Sequence, residues 1–153
     1  MFPTKATTSQ AKEIYKIFDQ YKDIFPHIRY DYLQRKIESS TCIYHDNVVI
    51  TYTIYKRKTK LGTCYAHKGD VIIHQIVNAE PSNGKSKEVL KNFLDHTIEG
   101  KVVWLSVRSD NDRACSFYEK MKFTKMGTID WMGGLLEGHV FCYNPNSNLG
   151  KLL

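Results

Sequence analysis

Val107-Arg-Ser-Asp-Asn-Asp-Arg-Ala-Cys-Ser-Phe-Tyr-Glu-Lys-Met-Lys-Phe123 changes its hydrophobic period from two to 3.6 within a few residues. The apolar run Val102 to Val107 ahead of it reads as a buried strand. Ala114, Phe117, Tyr118 and Met121 then recur at i, i+3, i+4 and i+7, the stripe of an amphipathic helix. Asn111 stands where a helix needs a cap, with Ser109 and Asp110 as rivals. Downstream, Thr124 to Trp131 and Gly138 to Tyr143 read as strands joined across Gly133-Gly134.

Upstream the same alternation continues. Val71-Ile72-Ile73-His74-Gln75-Ile76-Val77 is apolar on both faces, as expected of a strand in the middle of a sheet with helices on each side. A loop with Gly84 connects it to a helix carrying Val89, Leu90, Phe93, Leu94 and Ile98. Before it, Thr41 to His45 and Val48 to Tyr55 form a hairpin over Asp46-Asn47, residues that tolerate positive φ. A third strand is expected from about Gly62 to Ala66, after a basic turn at Lys56, Arg57, Lys58 and Lys60. Two helices open the chain, Ala11 to Lys22 with Ser9 available as a cap, and Arg29 to Glu38.

Composition bounds the function. The 153 residues, 42% hydrophobic, suit one domain over residues 1–143 with a tail at 144–153, long enough to bury roughly 70% of the unfolded surface. Cys42, Cys64, Cys115 and Cys142 are too scattered for a zinc site or a disulfide framework, so four reduced thiols and no metal are expected. No apolar run approaches the ~20 residues a bilayer demands, and the start lacks a signal-peptide core, so a cytoplasmic protein without membrane contact is expected. Twenty-two Lys and Arg against sixteen Asp and Glu give a net charge of +6, which favours anionic ligands in general.

The segment Pro81-Ser82-Asn83-Gly84-Lys85-Ser86-Lys87 leads from strand to helix. The first amides of a helix lack partners and sit at the positive end of its dipole, so a pyrophosphate is well received there. His74 and Gln75 interrupt an apolar strand on opposite faces, and a polar side chain there needs a partner or a task.

The spacing at 107–123 closely resembles the second cofactor motif of the GNAT superfamily of acyl-CoA N-acyltransferases. That motif reads roughly Asn-x-x-Ala-x-x-Phe-Tyr-x-Lys-x-Gly-Phe. Asn111, Ala114, Phe117, Tyr118, Lys120 and Phe123 match it, and Lys122 replaces the glycine. In the loop only Gly84 matches the family outright, with Ser86 a small substitute and Pro81 lacking the usual polar side chain. The resemblance implies an α/β (α+β) fold with a mixed, mostly antiparallel sheet of about seven strands, about four helices and a splay between the fourth and fifth strands. It implies acetyl-CoA or another acyl-CoA as donor and an amine as acceptor. Ser82, Asn83, Gly84, Lys85, Ser86 and Lys87 would receive the pyrophosphate, an amide near Ile76 or Val77 the oxyanion, and Asn111, Ala114, Phe117 and Tyr118 the rest of the cofactor. By analogy the Tyr118 hydroxyl is the general acid for the departing thiolate.

The base is open among His74, Glu80 and a water relay. A Cys115–His74 nucleophile pair is set aside, because direct transfer needs no covalent enzyme intermediate. Trp104 and Trp131 read as core residues. Two other functions stay in view: nucleic-acid binding or modification through the 56–60 turn, with Tyr52, Tyr55 and Tyr65 to stack on bases, and a catalytically silent acyl-CoA binder. A monomer and a homodimer are both compatible with the sequence.

Overall fold

A computed structural model describes residues 2–146. The expected tail from Asn144 therefore lies largely outside the described residues. The chain falls into two compact units, Met1–Thr53 with Ile73–Glu99, and Ile54–Ile72 with Gly100–Leu153.

In the first unit a short 3₁₀ turn leads into α1 (Ala11–Asp19), followed by α2 (Tyr30–Glu38), β1 (Cys42–His45), β2 (Val48–Ile54), most of β5 (Val71–Asn78) and α3 (Lys85–Asn92). The buried face of α1 is Ala11, Ile14, Ile17 and Phe18, the i, i+3, i+6, i+7 set that one side of a helix presents. These pack with Leu33, Ile37, Cys42, Val49 and Val77. The helix stops at Asp19 rather than Lys22. Gln20 and Tyr21 turn more tightly, donating to carbonyls three residues back, and the Tyr21 hydroxyl is anchored on the Asn78 carbonyl at 2.5 Å. The cap is not Ser9: the 3₁₀ turn begins one step earlier, where the Thr7 amide donates to Gln10 Oε1 at 2.9 Å. Asp46 and Asn47 take positive φ (49° and 66°) in the β1–β2 turn, as the hairpin requires. Residues 4–6 run beside β1, with Ala6 donating to the Cys42 carbonyl and Tyr44 to that of Thr4, both at 2.9 Å. After α3 the helix widens to a π turn, Phe93–Thr97, which brings Ile98 into the buried set.

The second unit holds β3 (Thr59–Leu61), β4 (Cys64–Ala66), the start of β5, β6 (Val103–Arg108), α4 (Asp112–Lys120), β7 (Thr124–Trp131) and β8 (Leu136–Tyr143). Val71 and Ile72 of β5 pair in parallel with Val103 and Trp104 of β6, and the ladder is confined to those two pairs. β8 pairs antiparallel with both β6 and β7, and β7 bulges between Lys125 and Gly127. Through β5 the strands form one six-stranded sheet, β1-β2-β5-β6-β8-β7.

The expected seven-stranded sheet is thus corrected to six. The third strand foreseen at Gly62 to Ala66 is half of a separate two-stranded hairpin, β3–β4, whose first strand occupies the end of the basic segment. Leu61 and Ala66, its buried residues, cluster with Trp104, Val140 and Cys142, so the hairpin serves as a cover rather than a sheet member. At its turn the Thr63 amide donates to the Thr128 carbonyl at 2.9 Å, and the Thr128 amide donates to Thr63 Oγ1 at 3.0 Å. The approach is close enough that a Cβ on Gly62 would collide with the Thr128 oxygen.

Candidate functional site

The loop after β5 is organised by Asn78, a buried side chain the sequence reading passed over. Its Nδ2 donates to Asn83 Oδ1 (2.9 Å) and Ser86 Oγ (3.1 Å), while its Oδ1 accepts the Glu80 amide (2.9 Å). Pro81–Asn83 form one 3₁₀ turn, Gly84 sits in the left-handed region at φ 69°, and α3 begins at Lys85. Space lies open beside Gly84, where an added Cβ would meet no atom within 4 Å. Asn83 Oδ1 also accepts the Lys85 amide at 2.9 Å. Helix geometry leaves the amides of Gly84, Ser86 and Lys87 without acceptors inside α3. Ser82, Gly84 and Lys87 are exposed, Lys85 and Ser86 half-buried, and the Lys85 ammonium rests on Glu88 at 3.3 Å.

On β5 the two polar residues have distinct surroundings. Gln75 Oε1 accepts the hydroxyls of Tyr32 and Thr51. His74 Nε2 lies 2.8 Å from Thr53 Oγ1, and that oxygen accepts from Lys36 Nζ at 2.5 Å, which also donates to the Tyr52 carbonyl at 2.6 Å. With one lone pair taken by Lys36, the Thr53 oxygen keeps a proton to give and a second lone pair to receive with, so its bond to Nε2 holds the His74 ring in either tautomer. Loss of hydration in its concave surroundings, seconded by the Lys36 ammonium, pushes His74 down to about 4, although its outer edge is exposed. Burial likewise lowers Lys36. His74, Gln75, Tyr32 and the segment from Ile24 to Arg29, with Arg35, line a cavity of ≈ 530 Å³. Glu80 is exposed, and Ile76 half-buried beside the buried Val77.

In the second unit Asn111 caps α4, its Oδ1 accepting the Ala114 amide at 3.1 Å. The stripe behind it is less covered than a core stripe should be. No residue of α4 is buried outright; Ala114, Phe117 and Tyr118 are each half-buried. The Tyr118 ring meets Phe117, Phe123 and Phe141 at centroid distances of 5.2, 5.6 and 6.3 Å. Among the described residues none hydrogen-bonds its hydroxyl. Burial drives its pKa well above the ordinary tyrosine value, so the group stays a protonated phenol. Lys122, at the position of the motif's glycine, adopts φ 73°, and Phe123 donates to the Tyr118 carbonyl across it. The substitution therefore falls on the left-handed turn that closes the helix.

Other candidates fall away from chemistry. Burial, the largest influence, raises the Cys115 thiol, and it pushes Cys42 and Cys142 up to about 12; all four cysteines are unpaired. Tyr52 does not flank the basic turn. It is buried against Phe93 with its hydroxyl on the Ser40 carbonyl, because β2 is covered on both faces there. Lys58 stacks over the exposed Tyr65 ring at 4.7 Å. Trp104 is buried and donates to Asp70 Oδ2 at 2.9 Å, while Trp131 is half-buried over Gly138. Among the described residues no group of His, Cys, Asp and Glu could hold a metal ion, and no helix is long and apolar enough to cross a membrane.

No protein-family sequence model matches the chain, and no curated protein matches it in sequence. Solved structures do. A GNAT-family acetyltransferase from Bacillus cereus superposes with TM-score 0.68 at 17% identity, covering 92% of this chain and 94% of the other. Arabidopsis thaliana NAA60, solved with acetyl-CoA, gives 0.68 at 14% identity over 93% and 97%. An N-acetyltransferase from Staphylococcus aureus gives 0.62 at 13% over 94% and 100%. The chain has the GNAT fold.

Proposed function

We propose that this protein is an N-acyltransferase that moves an acetyl or other acyl group from coenzyme A to an amine by direct transfer in a ternary complex. The observation that carries the reading is Tyr118: a protonated phenol with no hydrogen-bond partner for its hydroxyl among the described residues, on a half-buried aromatic stripe. The hydroxyl is not sealed from solvent, so a bound molecule can meet it in place of water. Arabidopsis thaliana NAA60, of the same fold, is solved in complex with acetyl-CoA, and the loop fits such a donor. Gly84 leaves open space, the amides of Gly84, Ser86 and Lys87 suit a pyrophosphate, and Lys85 and Lys87 add charge. In this reading Ser82 and Asn83 shape the loop, and Asn111, Ala114 and Phe117 form the wall beside Tyr118. The Lys85 amide, taken by Asn83, contributes less than the family pattern implies.

Bound acyl-CoA supplies an activated carbonyl with a thiolate leaving group. The acceptor nitrogen forms the new C–N bond as the C–S bond breaks, one proton leaving nitrogen and one reaching sulfur from Tyr118. A backbone amide at Ile76 or Val77 stabilises the oxyanion. Two features disfavour His74 as base without help: its Nε2 is engaged by Thr53, and its pKa is depressed. A water relay then takes the proton from nitrogen.

The test is thermal unfolding with acetyl-CoA, free coenzyme A and heparin. Ligand at about 100 times its Kd stabilises by ~2.7 kcal/mol, a melting shift of roughly 5–10 °C. A shift with both coenzymes, followed by amine-dependent thiol release, supports the proposal. A shift with heparin alone refutes it and moves attention to the 56–60 segment.

A further inference from the structure

The cavity between the start of α2 and β5 has a one-sided polar lining. Arg29 and Arg35 stand at its rim, both tied to the Asp31 carboxylate, at 3.5 Å from Arg29 Nε and 3.2 Å from Arg35 Nη1. A single carboxylate thus orients two guanidiniums, each keeping further N–H groups for a ligand. Both Gln75 lone-pair directions are filled by the Tyr32 and Thr51 hydroxyls, so what Gln75 offers the cavity is its amide N–H pair. The Lys36–Thr53–His74 chain holds the imidazole by its Nε2 edge and sets a third cation, Lys36, behind it. Donors and positive charge therefore prevail, with the Tyr32 oxygen and the His27 ring as further polar groups of the lining and the Asp31 carboxylate shared between the two rim arginines. The remaining wall is apolar, with Ile24, Phe25, Pro26 and Ile28.

A lining of this kind repels a polyamine or another purely cationic acceptor and suits an acceptor-rich anion on an apolar body. We propose that the acyl acceptor is a small amino acid with an apolar side chain, its carboxylate held by Arg29 and Arg35 and its side chain against Ile24, Phe25, Pro26 and Ile28. The inference rests on the acyltransferase reading above for the reaction, but not for the binding. Arginine meets a carboxylate with paired, charge-assisted bonds, and each such contact is worth about 10- to 100-fold in affinity.

The experiment has a binding arm and a turnover arm. In the first, melting of the coenzyme-free protein is followed with phenylalanine, leucine and methionine, and with phenethylamine and spermidine as carboxylate-free controls. In the second, thiol release from acetyl-CoA is measured with the same amines. The expected result is a melting shift with an amino acid that its carboxylate-free controls do not give, and kcat/KM at least ~30-fold above phenethylamine. Arg29→Gln and Arg35→Gln, both exposed and so harmless to folding, each raise KM for the amino acid by ~10- to 100-fold, with kcat nearly constant and phenethylamine unaffected. Spermidine or phenethylamine turned over as well as the amino acids overturns the inference and leaves the acyltransferase reading intact. Amino-acid binding that is lost in the double variant, without any response to acetyl-CoA, upholds the carboxylate site at Arg29 and Arg35 but overturns the acceptor role together with the acyltransferase. No amino-acid shift and no amino-acid turnover overturns it outright.

Discussion

Asn78→Ala removes the side chain that ties β5 to the loop ahead of α3. Three hydrogen bonds go, those to Asn83, Ser86 and the Glu80 amide, and the site is nearly closed to water, at 6% exposure. At about 0.5–1.5 kcal/mol each, with a further penalty for the orphaned Glu80 amide, the loss is about 2–4 kcal/mol. For a chain of this size that lowers the melting temperature by roughly 6–12 °C. Asn78→Asp separates the two halves of the network. It keeps an oxygen for the Glu80 amide, but it sets a carboxylate against Asn83 Oδ1 and cannot donate. Its melting temperature should fall nearly as far, and its response to acetyl-CoA should fall with it, because the Gly84 turn is no longer positioned. Differential scanning calorimetry of both variants, alone and with acetyl-CoA, is the assay. A melting temperature within ~3 °C of wild type for Asn78→Ala would show that the loop holds itself and would refute the reasoning.

Lys122→Gly should raise the melting temperature by ~2–4 °C, since it relieves about 1 kcal/mol of left-handed strain at φ 73°; a lower melting point would mean the lysine side chain matters more than the turn. Tyr118→Phe should leave unfolding within about 0.5 kcal/mol of wild type and acetyl-CoA affinity unchanged while kcat falls by ~100-fold or more; an undiminished rate removes Tyr118 from the mechanism. For His74 the folded pKa, about 4, lies below the ordinary 6.5, so the unfolded chain binds the proton first. Stability from this group is then full above pH 6.5 and is lost as the pH falls toward 4. NMR titration of the ring should place its pKa in that depressed range, and Lys36→Gln should move it upward by removing the neighbouring ammonium; a ring titrating near 6.5 in the wild type contradicts the relay.

Where side-chain periodicity was dense, sequence and structure agree. The four-residue stripe from Ala114 and the paired positive-φ residues Asp46 and Asn47 each encode their element locally. The hairpin at 59–66 did not announce itself, because strands of three residues cannot build an alternation and the lysines beside them read as a turn. Lys36, Thr53, Arg29 and Arg35 escaped notice for another reason: their roles arise from neighbours far away in sequence or from a cavity, and no local pattern carries that. Tyr52 misled because its sequence neighbours are basic, while β2 buries successive residues on both faces. The half-buried state of the α4 stripe was equally invisible, since a stripe that packs on protein and one that is left partly uncovered have the same period.

The tie between Thr63 and Thr128 closes a vulnerability of open sheets. β7 and β1 are the outer strands, and an outer strand with free amides and carbonyls is a template on which another copy can extend the sheet. On β7 the Thr63 turn occupies both backbone groups of Thr128, next to a bulge that breaks the regular spacing. On β1 residues 4–6 already hold the hydrogen bonds a visiting strand would seek. Truncation before residue 7 would open one of these guards at the cost of a single small core side chain, Ala6, and the first symptom would be aggregation on storage rather than a fall in activity.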